Sequence, residues 1–293
     1  MKPALTLKFG LLLLIVCLSF SVHAQQEITV MSYNIRLDVA SDGENRWDAR
    51  KEKVTGLMKF YEPDFIGTQE VMHHQLLFIK QELQHYQHIG VGRDDAKEKG
   101  EYSAIFYNAA KFDLKQQATF WLSPTPDTVS KGWGANINRV CTYGLFQRKK
   151  TNKLFWVINT HFDHQSELAR IEAAKLIMKV IDSLNKKKNY PVIFIGDLNA
   201  RPEQEPVMQV ASVMDNARNI SKQLPYGGLD TWNAFQFSKK PSGCIDYIFV
   251  SRNNGWQVKK FATLTDSYDM KYPSDHFPVL AVLLLKKRQR RIQ

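Results

Sequence analysis

Pro191-Val192-Ile193-Phe194-Ile195-Gly196-Asp197-Leu198-Asn199 sets four consecutive apolar side chains ahead of a glycine, then a carboxylate and an amide. An unbroken apolar run of that length is what a strand covered on both faces requires. The polar residues at its end fall where a layered sheet fold presents functional groups on a rigid scaffold.

Outward from this strand, apolar runs alternate with helical patterns. Upstream, Ser166 is placed to cap a long helix in which Leu168, Ile171, Ala174, Met178 and Ile181 form one apolar stripe. Before it, Tyr143–Gln147 and Leu154–Thr160 read as a hairpin around Lys149-Lys150-Thr151-Asn152-Lys153. Further strands are expected at Ile28–Tyr33, Phe65–Thr68, Ser103–Tyr107 and Thr119–Leu122, with helices over Asp48–Tyr61 and His74–Leu83. Glu62-Pro63-Asp64 stops the first of those helices. Downstream, a short helix near Pro206–Val213 precedes strands at Cys244–Val250, Val258–Leu264 and Phe277–Leu285. About ten strands and three or four helices imply two packed sheets with helices outside them.

The 293 residues are 44% hydrophobic and 12% aromatic, which excludes disorder and fibrous repeats. Lys2 and Lys8, the apolar run Phe9–Phe20 and Val22-His23-Ala24 read as an export signal over 1–24. The run is short for a membrane span. A single domain is expected over 25–285, followed by a basic tail, 286–293, in which much of the +11 net charge is concentrated. The balance is compatible with a polyanion such as nucleic acid, and equally with a solvated tail. Cys141 and Cys244 remain after signal removal; their pairing depends on a distance the sequence does not supply.

The other strands also carry polar residues near their ends. Asn34 ends the first and Glu70 the second; Asn159-Thr160-His161 ends the hairpin strand. Asp246 lies in Ile245–Phe249, and Asp275-His276 precedes the last strand. Such oxygen donors suit Mg2+ or Mn2+ rather than zinc. Two histidines can donate to an anionic five-coordinate phosphorus while a carboxylate aligns or deprotonates water. No Gly-x-Ser-x-Gly elbow occurs.

In order, Met-Ser-Tyr-Asn34-Ile-Arg, Thr-Gln-Glu70-Val, Asn-Thr-His161, Gly-Asp197-Leu-Asn199, Ile-Asp246-Tyr-Ile-Phe and Ser-Asp275-His276-Phe-Pro-Val resemble the endonuclease/exonuclease/phosphatase superfamily over 28–285. The resemblance implies a four-layer α/β/β/α sandwich, an α+β fold of two mixed sheets like that of pancreatic deoxyribonuclease. It also implies Mg2+-dependent hydrolysis of phosphate esters, with Mn2+ as the alternative ion.

By the same resemblance Asn34, Glu70 and Asp275 match the metal site. Asp197 matches the residue that orients or activates water, Asn199 a phosphate contact, His161 a donor to phosphate or leaving oxygen, and Asp246 the carboxylate that holds His276. Arg139 falls where relatives place a cationic or tyrosine phosphate contact. Glu101 loosely matches an acidic partner for His161, and Gly196 is expected to let the chain turn tightly. Asp163 and His164 are candidates only for ending the strand, and Trp133 and Trp232 for stacking on a base or sugar or for loop packing.

The substrate expected from these features is a phosphodiester, foremost in nucleic acid. The alternatives are a phosphatase or a sphingomyelinase-like hydrolase of a small or lipid phosphate ester, and, less favoured, a non-catalytic binder on the same fold. An exported monomer, periplasmic or extracellular, with neither membrane span nor protein partner completes the expectation.

Overall fold

The computed structural model describes residues 27–252 and 255–285. The expected signal, 1–24, and the tail, 286–293, lie outside them. Among the described residues, no helix is long and apolar enough to cross a membrane. The elements run β1 (Glu27–Asn34), α1 (Trp47–Tyr61), β2 (Phe65–Val71), α2 (His73–Glu82), β3 (Tyr86–Ile89), β4 (Tyr102–Asn108), β5 (Phe112–Trp121), β6 (Val140–Arg148) and β7 (Leu154–His161). They continue α3 (Glu167–Asn185), β8 (Val192–Asp197), α4 (Glu205–Val213), β9 (Met214–Asn216), β10 (Asp246–Ser251), β11 (Trp256–Thr263) and β12 (Val279–Leu285).

One sheet has the order β11-β12-β1-β2-β4-β3 and the other β5-β6-β7-β8-β10-β9. Each is mixed. β1 runs parallel to β2 and β7 to β8, while the other pairings within the sheets are antiparallel.

The period of two along β8 explains the opening sequence. Ile193 and Ile195 face the other sheet, packing in one core with Val30, Phe65, Phe155 and Ile248. Val192 and Phe194 face outward, joining Ala173, Ala174 and Ile177 of α3 and Val207 and Val210 of α4. On the opposite outer face, Met31 and Tyr33 of β1 meet Val54, Leu57 and Met58 of α1 and Leu76 and Ile79 of α2. Three cores between four layers give the expected α/β/β/α sandwich.

Local signals explain the element ends. The Ser166 side chain accepts from the Ala169 N–H at the start of α3. Glu62 takes φ 43° after α1, and Pro63 has no N–H with which to continue the helix. β3, β9 and the first part of β5 depart from the sequence expectation. β3 and β9 are four and three residues long. In β5, exposed Lys115, Gln116 and Gln117 interrupt any alternation at the edge of the sheet, where charged residues protect an edge from further pairing. Cys141 and Cys244 are free, buried thiols.

A polar clamp ties the two sheets together. Asn159 Nδ2 donates to the carbonyls of Thr68 and Ala104 at 2.9 and 2.8 Å, and its Oδ1 accepts from Gln69 Nε2 at 2.7 Å. Gly67 makes room, since a Cβ there would lie 2.9 Å from Asn159 Oδ1. Asn159→Leu is expected to cost about 2–4 kcal/mol by leaving those buried groups unpaired, read as a lower urea midpoint at unchanged slope.

Candidate active site

The strand registers bring the site together. Asp197 ends β8 opposite His161 of β7 on one side and Asp246 of β10 on the other. Gly196 serves close approach rather than the tight turn expected: it lies within β8, and a Cβ would stand 2.6 Å from the Thr160 carbonyl oxygen. From the other sheet, β1 delivers Asn34. Glu70 sits at an irregularity in the β2–β4 pairing with φ 60°, a strained geometry that re-aims its side chain.

Asn34 Nδ2 donates to both Glu70 Oε1 and Asp197 Oδ2 at 3.0 Å, joining the two sheets at the site. Asp197 Oδ1 accepts the Asn199 N–H at 2.9 Å, while Oδ2 lies 3.5 Å from His161 Nε2 and 3.8 Å from His276 Nδ1. Asn199, at φ 46°, donates from Nδ2 to the Phe162 carbonyl and faces His161 Nε2 at 2.9 Å. An amide nitrogen can only donate, so Nε2 is the accepting nitrogen and His161 carries its proton on Nδ1. His276 Nδ1 is 2.9 Å from Asp246 Oδ2.

The two imidazoles are tuned in opposite directions. Burial, followed by the Arg139 and Arg93 charges, drives His161 well below the ordinary histidine range, so it is neutral. For His276 burial works the same way, but Asp246, helped by Asp197 and Asp275, outweighs it and holds the ring protonated. Burial and the neighbouring Asp246 charge push Asp197 up to about 7, which suits a proton acceptor near neutral pH. Burial alone would raise Glu70, yet the Asn34 amide, His276 and Arg36 keep it below its usual range. Asp275 is raised, chiefly by burial.

Asn34, Glu70, Asp275, Asp197, Asn199, Asp246, His161 and His276 thus meet at one edge of the sandwich. Arg139 is placed differently. Only 5% exposed, it directs Nη2 to His164 Nδ1 at 2.9 Å and holds Nε 3.8 Å from Asp163 Oδ2. Its charge reaches the site through His161. Glu101 pairs with Arg93 at 2.8 Å rather than with His161, whose Nδ1 has no hydrogen-bond partner; all three residues line one small cavity with Arg139. Asp163 Oδ1 accepts the N–H groups of Gln165 and Ser166 at the start of α3. Trp133 packs on the outer core, whereas Trp232 is 41% exposed.

Four supporting residues escaped sequence reasoning. Thr231 Oγ1 accepts the N–H groups of Ile245 and Asp246, and Ser274 Oγ donates to the Asn34 carbonyl. Arg36 Nη1 lies 3.7 Å from Glu70 Oε2 and 3.9 Å from Asp275 Oδ2. Arg93 completes the set. A lone Thr, Ser or Arg in a loop carries no pattern; only the adjacency of Arg36 to Asn34, and of Ser274 to Asp275, was available as a signal.

The donor set fits a hard divalent ion. Buried Asp275 and part-buried Glu70 converge on one cationic nitrogen of Arg36, and carboxylate oxygens beside an amide are Mg2+ or Mn2+ chemistry. A second grouping, Asp197, Asp246 and His276, has candidate ligand atoms within 4.8 Å of one another. There the His276–Asp246 hydrogen bond already occupies one nitrogen and one oxygen.

Two mixed sheets enclosed by helices, with this cluster at one edge, have the architecture of the DNase I-like phosphoesterases. The chain belongs to the endonuclease/exonuclease/phosphatase family, whose model matches residues 31–276. Members are hydrolases of phosphate esters, and the family is divalent-metal dependent. A family protein of Bacteroides thetaiotaomicron is 37% identical at a TM-score of 0.85, over 89% of this chain and 98% of that one. A mannosyl-6-phosphatase of the same organism is 38% identical at a TM-score of 0.84, over 88% and 99%. Sphingomyelinase C of Leptospira interrogans is 25% identical over 173 residues, 51% of this chain and 30% of that protein. The chain spans less than two thirds of the length of the curated relatives it matches.

Proposed function

We propose that this chain is a divalent-metal-dependent phosphatase that releases inorganic phosphate from a small sugar phosphate. The observation that carries the reaction is Asp197, flanked by a neutral and a protonated histidine and tied through Asn34 to Glu70. The substrate class draws support from the 38% identity, over 99% of its length, to the mannosyl-6-phosphatase. This is the small-ester alternative from the sequence, preferred here to the nucleic-acid diester on the strength of that similarity.

Glu70 and Asp275, with Asn34 beside them, would hold the ion. When bound, it supplies Lewis-acid charge at a phosphoryl oxygen. Asp197 aligns a water and takes its proton on Oδ2. His276, kept charged by Asp246, donates to an oxygen of the phosphoryl group as negative charge grows there; the P–O bond to the sugar breaks as the water oxygen bonds to phosphorus, and the leaving oxygen takes a proton from solvent to depart as the alcohol. Asn199 Nδ2 donates to His161 Nε2 and so holds the neutral ring in place beside Asp197, its buried Nδ1 lying away from that contact. Buried, preoriented donors of this kind are worth more than the same groups in water.

The test compares a hexose 6-phosphate with its methyl diester and with single- and double-stranded DNA, in Mg2+. Turnover is expected on the monoester, with kcat/KM on the diesters lower by at least about tenfold, a difference of about 1.4 kcal/mol in transition-state binding. A diester preferred to the monoester would restore the nuclease reading. We also propose export through residues 1–24; a secreted or periplasmic product whose N-terminus is Gln25 is the expected outcome.

A further inference from the structure

Trp232 is exposed, yet its backbone is fastened beside the most buried part of the site. Asn233 N–H donates to the Asp275 carbonyl at 2.8 Å and Phe277 N–H to the Thr231 carbonyl at 2.7 Å. These two bonds flank Trp232 and His276, which form an isolated antiparallel bridge between them. That is the non-hydrogen-bonded type of antiparallel pair, in which the Cα atoms are about 4.5 Å apart and both side chains leave the same face. His276 turns inward to Asp246 and is 5% exposed. The indole stands next to it on the solvent side, 41% exposed.

The segment is held on several sides. Trp232 N–H donates to the Gly243 carbonyl and its carbonyl accepts the Ser242 N–H. Thr231 Oγ1 receives the N–H groups of Ile245 and Asp246. Farther along the same loops, Phe237 packs tilted on Tyr272 and Tyr272 edge-on to Phe277, with centroids 5.2 and 4.9 Å apart. An aromatic ring this exposed, on backbone this well fixed, loses little freedom when a ligand covers it.

We propose that Trp232 is a substrate-binding platform on which the ring of the leaving sugar, a hexopyranose, lies by its C–H face. The inference rests on the phosphatase reading above and extends it to the alcohol side of the substrate. Distance selects the ring. His276 addresses the phosphoryl group, and the indole begins one cross-strand spacing away, so the ring that reaches it is the one joined to the phosphate through a single carbon. In a 5′-nucleotide the ring so joined is the ribofuranose, a smaller ring with less C–H face to lay on an indole, and the base lies a whole ribose farther out.

Trp232→Ala and Trp232→Phe, with wild type, would be assayed in Mg2+ on a hexose 6-phosphate, glycerol 3-phosphate and a 5′-mononucleotide, and on the methyl diesters of the first two. With alanine, kcat/KM for the hexose ester is expected to fall about 10- to 100-fold, mostly through KM, while glycerol 3-phosphate changes by less than about threefold. Phenylalanine should recover most of the loss. An equal fall on both alcohols would reduce Trp232 to a support for His276 and overturn the proposal, as would no fall on either. A loss confined to the nucleotide would also overturn it. If wild type cleaves only the diesters, the phosphatase reading fails, while the same hexose-to-glycerol ratio read on the diesters still decides the platform. Turnover of none of the five substrates would overturn both.

Discussion

Asp197→Asn is expected to lower kcat/KM by at least about 10^3-fold, at the upper end of what a positioned general base contributes. The substitution keeps the shape of the side chain and its Asn199 N–H contact but removes the proton acceptor. It also turns a possible donor toward Asn34 Nδ2, which at present donates to Asp197 Oδ2 at 3.0 Å. The loss should appear in kcat with little change in KM, because the group acts on the water rather than on the bound ester. Stability should hold or rise slightly, since burial and Asp246 already disfavour the ionised carboxylate. Steady-state kinetics with a urea titration separates the two effects. Retention of more than about a tenth of the activity would remove Asp197 from the role of base.

His276→Gln should be nearly as damaging, with a fall of about 10^2- to 10^4-fold in kcat/KM. Glutamine can still donate a hydrogen bond, but it carries no charge. Among the described residues, the protonated ring is the only cation within salt-bridge distance of Asp246, and it lies 3.8 Å from Asp197. Its removal leaves two buried carboxylates facing each other across β8 and β10, so a lower urea midpoint should accompany the lost activity. Asp246→Asn tests the same dyad from its other end and keeps the ring. Because the two residues act as a unit, the double variant should lose little more than His276→Gln alone. Additive losses would show that His276 and Asp246 work separately.

The architecture was legible wherever both faces of a strand are buried. Val192–Ile195 announced itself because its two faces pack on different cores, and α3 because Ala174, Met178 and Ile181 of its expected stripe lie on one of them, whereas Leu168, expected in the same stripe, is 55% exposed. The edge strands were hidden for the opposite reason. Gln116 and Gln117 pair in β5 next to an irregularity that skips Lys115, and all three side chains are exposed, so nothing in their composition reports the pairing.

The same division holds for the site. Asp197, Asp246 and His276 stand in short motifs at strand ends, and sequence order could gather them. Arg139 also stood out, but its place beneath His161 and His164 depends on β6 and β7 lying side by side. The sequence could not tell whether it reaches the open side or the underside. Glu101 is the same case, its nearest cation being Arg93 eight positions upstream across a loop. Asn159 read as part of a catalytic motif, whereas its three hydrogen bonds hold the sheets together.

The most direct measurement is release of inorganic phosphate from a hexose 6-phosphate by metal-stripped protein, before and after addition of Mg2+, for wild type and Asp197→Asn. The stripped wild type should show no release, addition of Mg2+ should start it, and the variant should show almost none under either condition. Release that persists in excess chelator, or that the variant sustains at the wild-type rate, would contradict it.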